Sequence, residues 1–309
     1  MTNKRKIVSI IVVVLVCTGI VSGYFVGKQH YHHIALTEQN KKIADDKIKA
    51  AQILKNETQK KQESQNKAKN IAAINSSNNL NLKHNDKGIP VLMYHSIGYE
   101  KGNTAKIPKE KFREQMKYLK DNGYVTLTLA QAYDFFVSNK SVPEKSIVLT
   151  FDDGYEDNYV EALPILKEFG FKATFFIITD WVDKIPGYMN LKQLKEMQAH
   201  EMDIESHTAY HDHLKQLSYE KQLKTLKQSR DFLEKSLNKK IQYIAYPFGE
   251  YSKETLRAVK QAGYTMAFST DGKWSDKADG ILTLDRVFIS GGADLDVFIE
   301  RISNPNYDF

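Results

Sequence analysis

From residue 88 to residue 309 the chain alternates short β-prone runs with amphipathic helical stretches, and that alternation leaves few folds open. Residues 91–94, 125–129, 147–151, 173–178, 203–205, 243–246, 265–269 and 281–284 read as strands. Residues 109–122, 129–138, 158–169, 191–200, 219–237 and 253–262 read as helices. In the longest of these, Leu223, Leu226, Arg230, Leu233 and Leu237 fall at three-four spacing, the mark of one core-facing stripe. The pattern predicts a parallel α/β domain in the form of an incomplete barrel. In such folds chemistry gathers where strands end and loops begin.

The first 87 residues differ in kind. Residues 7–26 are 20 uncharged, mostly apolar positions behind Lys4, Arg5 and Lys6. About 20 such residues span a bilayer as a helix, and the basic flank stays in the cytoplasm. We expect residues 1–27 to be a cytoplasmic tip and single-pass anchor that holds the rest outside the cell. No Ala-x-Ala site argues for cleavage, and a cleaved segment would make the protein secreted. Residues 28–87 hold no Gly and no Pro, and 12 Lys stand against 6 acidic residues. They read as a polar stalk, helical over about 34–74 and frayed beyond, without the apolar content for a core.

The formal charge of +6 belongs to this N-terminal part, because residues 88–309 carry 29 basic and 32 acidic residues. No nucleic-acid footprint remains on the globular part. The single Cys17 permits no internal disulfide. Nothing in the composition calls for a partner chain, and a monomer is expected.

Three motifs follow strand runs. Thr150-Phe151-Asp152-Asp153-Gly154 ends the run 147–151, and His207-Thr208-Ala209-Tyr210-His211 follows the run 203–205. An Asp-Gly pair alone is a common turn, and a lone histidine is usually a satisfied core residue. Two histidines four apart, beside paired aspartates on another strand, have a different logic. One Asp and two His make a three-ligand metal site with room for a water, and the spare Asp is left as a base. A divalent cation also relieves the repulsion that adjacent carboxylates would otherwise suffer. Spacing by four places both imidazoles on one side of a helical turn, whereas His213 faces elsewhere. Ser206 and Asp212 flank that turn and are expected to orient or cap it.

The third motif is Ala245-Tyr246-Pro247-Phe248-Gly249. Pro247 fixes φ and Gly249 allows a sharp turn, so the loop can hold the Phe248 N–H rigidly as a donor to an oxyanion. Tyr246, Pro247, Phe248 and Tyr251 are expected to wall a groove in which aromatic rings stack on sugars.

In order and spacing these motifs resemble those of NodB-type polysaccharide deacetylases, carbohydrate esterase family 4. The resemblance covers residues 88–309 and is most specific over 145–290. The opening Pro90-Val91-Leu92-Met93-Tyr94-His95 and the Tyr-Pro-Phe-Gly loop resemble the branch containing poly-β-1,6-N-acetylglucosamine deacetylases. The resemblance implies a distorted (β/α) barrel that removes N-acetyl groups from a polymer of N-acetylglucosamine. It implies that Asp152 is the general base and that Asp153, His207 and His211 hold a divalent metal, usually Zn²⁺.

Two departures stand out. Many family members carry an Arg two positions before the motif proline, where this chain has Ala245, and a late Leu-x-His, whereas this chain has no His after His213. We expect Arg286, in Leu284-Asp285-Arg286, to replace the missing Arg beside Asp152. His95 is the candidate for the missing acid or for substrate binding. The expected function is deacetylation of peptidoglycan or poly-N-acetylglucosamine at the cell envelope. The competing readings are a glycan-binding protein without turnover and an O-acetyl esterase.

Overall fold

A computed structural model describes residues 81–308. The anchor expected at 7–26 and nearly all of the stalk lie outside these residues. Among the described residues, no helix is long and apolar enough to cross a membrane.

In chain order the strands are β1 (Leu82–Lys83), β2 (Val91–Tyr94), β3 (Val125–Thr126), β4 (Val142–Pro143), β5 (Ser146–Phe151), β6 (Thr174–Ile177), β7 (Asp203–Ser206), β8 (Tyr243–Ala245), β9 (Met266–Phe268) and β10 (Val287–Phe288). The α-helices are α1 (Lys109–Asp121), α2 (Leu129–Ser138), α3 (Leu163–Phe169), α4 (Leu191–Ala199), α5 (Tyr219–Leu237), α6 (Lys253–Ala262) and α7 (Leu295–Ser303). A single π-turn, Asn158–Ala162, leads into α3.

The main sheet runs β10-β2-β5-β6-β7-β8-β9, with β3 added beside β5, and every pairing in it is parallel. Strand alternation sorts its side chains into two sets. Val91, Val148, Phe176, Ala245, Met266 and Phe268 pack together with Leu129, Ala132, Phe135 and Phe136 of α2. The alternate residues Leu92, Leu149, Phe175, Ile204 and Ile244 pack with Met116, Leu166, Leu226 and Val259 from the surrounding helices. The first set fills the inside of the curled sheet and the second glues the helices to its outside. The result is an incomplete, curled parallel half-barrel.

Residues 281–284 do not form the expected strand. They make one parallel bridge, Phe268 to Leu284, and a few backbone bonds to β9, after which the chain crosses to pair β10 with β2. The crossing segment carries Arg286 into the barrel interior, and Arg286 is 0% exposed. The folded part also reaches back beyond residue 88. β1, inside the stretch that composition assigned to the stalk, pairs antiparallel with β4, and Lys83 is buried there.

Candidate active site

Every sequence motif lies just beyond the carboxyl end of a parallel strand. On β5, alternation turns Val148 and Thr150 inward and places Asp152 in line with them. Asp153 would then point away, but its backbone has φ 73° and Gly154 follows at φ 82°. This left-handed pair of residues swings the Asp153 carboxylate back to the cavity. Among the described residues eight non-glycine positions have positive φ, and four of them, Asp153, Thr208, His211 and Phe248, lie at this site. Such conformations cost about 1–3 kcal/mol each and persist only where surrounding structure enforces them.

His207 and His211 do not share a helical turn as expected. Thr208 and His211 have φ of 67° and 58°, so the segment coils instead of continuing as helix. The coil is bound to α5, with the Ala209 N–H donating to Thr225 Oγ1 at 3.1 Å and Thr225 Oγ1 to Asp212 at 2.6 Å. Ser206 Oγ lies 2.8 Å from Ser229 Oγ, so the residues expected to steady this turn do so through α5.

Asp153 Oδ1 lies 3.3 Å from His207 Nε2 and 3.4 Å from His211 Nε2. The three ligand atoms fall within 4.8 Å of one another. His207 Nδ1 donates to the Ala245 carbonyl at 2.8 Å, which leaves the Nε2 lone pair facing the carboxylate. Asp153 Oδ1 is buried and has no hydrogen-bond donor. Two imidazole nitrogens and an unpartnered carboxylate oxygen, converging within 4.8 Å of one another, suit a divalent cation. Burial works against charge on His207, but Asp152 and then Asp153 outweigh it and raise its pKa. For His211, burial and the neighbouring His207 lower the pKa to about 4.

Arg286 clamps Asp152 from within the barrel. Nη1 donates to Oδ1 at 2.7 Å and Nη2 to Oδ2 at 2.6 Å. Nη1 also reaches Thr150 Oγ1 at 3.2 Å, and Nε donates to the Ser269 carbonyl at 3.0 Å. Burial pushes the Asp152 pKa up, but Arg286 and then His207 prevail and hold it well below the usual carboxylate range. The arginine expected to compensate for Ala245 is therefore in contact with Asp152. Ala245 itself supplies the carbonyl that orients His207.

His95, half-buried at the end of β2, has a buried Nδ1 without a partner. It lies close enough to Asp152, Asp153 and His211 to act on them electrostatically. The Phe248 backbone N–H meets no acceptor among the described residues. The residue is 49% exposed, and its ring stands edge-on to His211 at 4.5 Å.

The expected groove wall needs correction. Tyr246 is fully buried, its hydroxyl donates to the Leu282 carbonyl, and Pro247 is buried as well. Neither offers a face to a glycan, and Tyr251 packs against the Tyr246 ring at 5.5 Å. Both Tyr246 and Ile244 lie on the helix side of β8, as alternation requires.

The aromatic wall that sequence reasoning missed is formed by Tyr155, Trp181 and Tyr188. Tyr155 stacks on Tyr188 at 5.0 Å, Tyr188 meets Trp181 at 4.5 Å, and Trp181 lies 6.1 Å from His211. Backbone bonds from Glu156 to Gly187 and from Met189 to Gly154 staple this loop to the Asp-Asp-Gly turn. Tyr155 follows Gly154 directly and was within reach of sequence reasoning, whereas the other two belong to no motif.

Comparison with known proteins agrees with this architecture. The sequence model of the family described as "Polysaccharide deacetylase" matches residues 139–267. The chain is 39% identical over 204 residues to the putative polysaccharide deacetylase YxkH of Bacillus subtilis (strain 168), covering 66% of this chain and 72% of that one. It is 32% identical over 204 residues to the poly-beta-1,6-N-acetyl-D-glucosamine N-deacetylase of Staphylococcus aureus (strain MSSA476), covering 60% of this chain and 69% of that one. Among solved structures, the Streptococcus pyogenes deacetylase PplD in complex with acetate superposes with a TM-score of 0.67 at 32% identity, over 70% of this chain and 99% of that one. The chain belongs to the polysaccharide deacetylase family, the NodB-type N-deacetylase hydrolases of carbohydrate esterase family 4.

Proposed function

We propose that this chain hydrolyses N-acetyl groups on an N-acetylglucosamine polymer of the cell envelope, releasing acetate and leaving free amines. The observation that carries the reading is the Asp153, His207 and His211 triad beside an Arg286-clamped Asp152. The three ligands would hold a divalent metal, with Zn²⁺ the best match to one carboxylate and two imidazoles. Such a metal supplies a Lewis acid that polarises the acetyl carbonyl and acidifies water.

The protein's own residues supply the rest. Asp152 accepts the proton of the attacking water, with Arg286 holding the carboxylate ionised and fixed. The Phe248 N–H donates to the acetyl oxygen as it gains negative charge. The carbon–nitrogen bond then breaks, and the departing nitrogen takes a proton to leave as an amine. His95 is the residue we assign to that proton, supported by its unpartnered Nδ1 and its closeness to Asp152 and Asp153.

The poly-N-acetylglucosamine deacetylase among the relatives supports a β-1,6-linked substrate, and peptidoglycan glycan is the second polymer to test. We place the enzyme outside the cell, tethered by residues 7–26 and spaced from the membrane by the stalk. Acetate release from β-1,6- and β-1,4-linked N-acetylglucosamine oligomers, compared with acetylated xylan, tests the reading. Release from xylan alone would make the enzyme an O-acetyl esterase.

A further inference from the structure

His213 lies two positions beyond the metal-ligand motif and outside the triad. Its imidazole lies parallel to the Phe248 ring, with centroids 3.8 Å apart and planes 4° from parallel. His213 Nδ1 is 3.1 Å from Glu250 Oε2, so the imidazole is itself held from behind Phe248 by the next residue but one of the same loop. One face of Phe248 is thus covered by His213, while 49% of the residue remains exposed to solvent. Phe248 adopts this pose with φ 59° and ψ 8°, a left-handed conformation that a bulky residue rarely takes. A large apolar ring held exposed, backed by a second ring and set beside a metal ligand, has no packing role in the core.

We infer that His213 and Glu250 lock Phe248 as a flat platform for the apolar C–H face of a pyranose unit adjoining the one that is deacetylated. The inference rests on the deacetylase reading and extends it to how a polymer is held. A β-linked hexosamine with equatorial substituents presents axial C–H groups on its faces, and such a face matches an aromatic ring. His213 acts through Phe248 and is a positioning residue. Its imidazole restricts the ring to one orientation, so that less freedom is lost when sugar binds.

The test is carried out on the full chain. With an N-acetylglucosamine pentamer, His213→Ala should raise KM about five- to tenfold, the size of one aromatic contact, while kcat moves less than about twofold. His213→Phe, which keeps a flat ring behind Phe248, should restore KM to within about twofold. Calorimetric affinity for the pentamer in an Asp152→Asn background should follow the same order and does not depend on turnover. An unchanged KM and affinity in His213→Ala, or equal losses in His213→Ala and His213→Phe, would overturn the platform. Absent acetate release with the binding order intact would overturn the deacetylase reading and leave the platform standing.

Discussion

Arg286 meets Asp152 through two parallel hydrogen bonds of 2.7 and 2.6 Å across 134 positions of sequence, with both side chains almost wholly buried. The pair forms because the chain crosses from β9 to β10 over the open side of the barrel and drops Arg286 inside. An isolated buried carboxylate would be driven towards its neutral form, and an isolated guanidinium would be unsolvated. Together they give a carboxylate that stays ionised, as the base role proposed for Asp152 requires.

Removing the arginine should reverse the balance at Asp152. In Arg286→Ala, burial is left as the main influence and the Asp152 pKa rises. The acid limb of the pH–rate profile should therefore move to higher pH. The variant should lose about 3–5 kcal/mol of stability, because breaking a buried pair leaves one charge uncompensated. In the intact protein the depressed Asp152 contributes stability above its unfolded pKa, and that contribution is lost as pH falls through the folded value. Chemical denaturation at several pH values and a pH–rate profile check both parts. A profile that stays in place would contradict the clamp.

Metal content provides a second prediction. His207→Ala removes one of the three candidate ligands, the one whose Nδ1 donates to Ala245. Elemental analysis should show about one equivalent of metal in the parent chain and at least about tenfold weaker retention in the variant. Chelation of the parent should abolish acetate release, and Zn²⁺ should restore it. Equal metal retention by parent and variant would argue against the triad as the site.

Gly249 tests the oxyanion role proposed for the Phe248 N–H without touching a candidate ligand. It sits at φ 68°, and an added Cβ would lie 2.2 Å from Thr270 Oγ1 and 2.8 Å from the Thr270 backbone nitrogen. Gly249→Ala must therefore shift the loop that aims the Phe248 N–H. We expect kcat to fall about 100-fold, the scale of a displacement near 1 Å, with metal content retained. Parallel loss of metal and rate would instead mean that the loop supports the triad.

His95 should matter according to the leaving group. His95→Ala should slow amide hydrolysis by about 10²–10⁴-fold, the usual range for a general acid. Hydrolysis of an activated phenyl acetate, whose leaving group departs without a proton, should fall far less. Equal losses on both substrates would assign His95 to binding.

Lys83 offers a test of the fold alone. Burial lowers its pKa from 10.5 to about 8, against a smaller raising effect of Glu144. Between these values the unfolded chain binds a proton that the native state does not, so stability rises with pH over that window. The span corresponds to about 3 kcal/mol. Lys83→Met should flatten this dependence and raise the thermal midpoint at pH 7. An unchanged slope above pH 8 would show that Lys83 keeps its charge when folded.

Much of the fold could be read from local signals. Helices α2, α5 and α6 begin and end where the sequence placed them, because Thr128, Ser218 and Ser252 accept N-terminal amide hydrogen bonds and Asn139, Asn238 and Gly263 adopt left-handed caps. Residue type and position after a strand also singled out Asp152, Asp153, His207 and His211, which the structure brings together. What local pattern could not supply was chain direction inside a loop. The left-handed Thr208 and His211 depend on tertiary bonds to α5, so the histidine pair looked helical. Strand β10 is only Val287–Phe288, too short to leave a periodic signal, and residues 281–284 have strand composition but reach β9 through a single bridge and a few backbone bonds. Trp181 and Tyr188 reach the site because backbone bonds staple their loop to residues 154–156, a contact no spacing announces.

The central claim is that Asp152, beside a metal held by Asp153, His207 and His211, deacetylates an N-acetylglucosamine polymer. The most direct test is acetate release from β-1,6- and β-1,4-linked oligomers by the full chain, with Zn²⁺ and after chelation, alongside Asp152→Asn. We predict release that needs the metal and disappears in Asp152→Asn while metal content is retained. Undiminished release by Asp152→Asn, or none from either oligomer by the metal-loaded parent, would contradict the account.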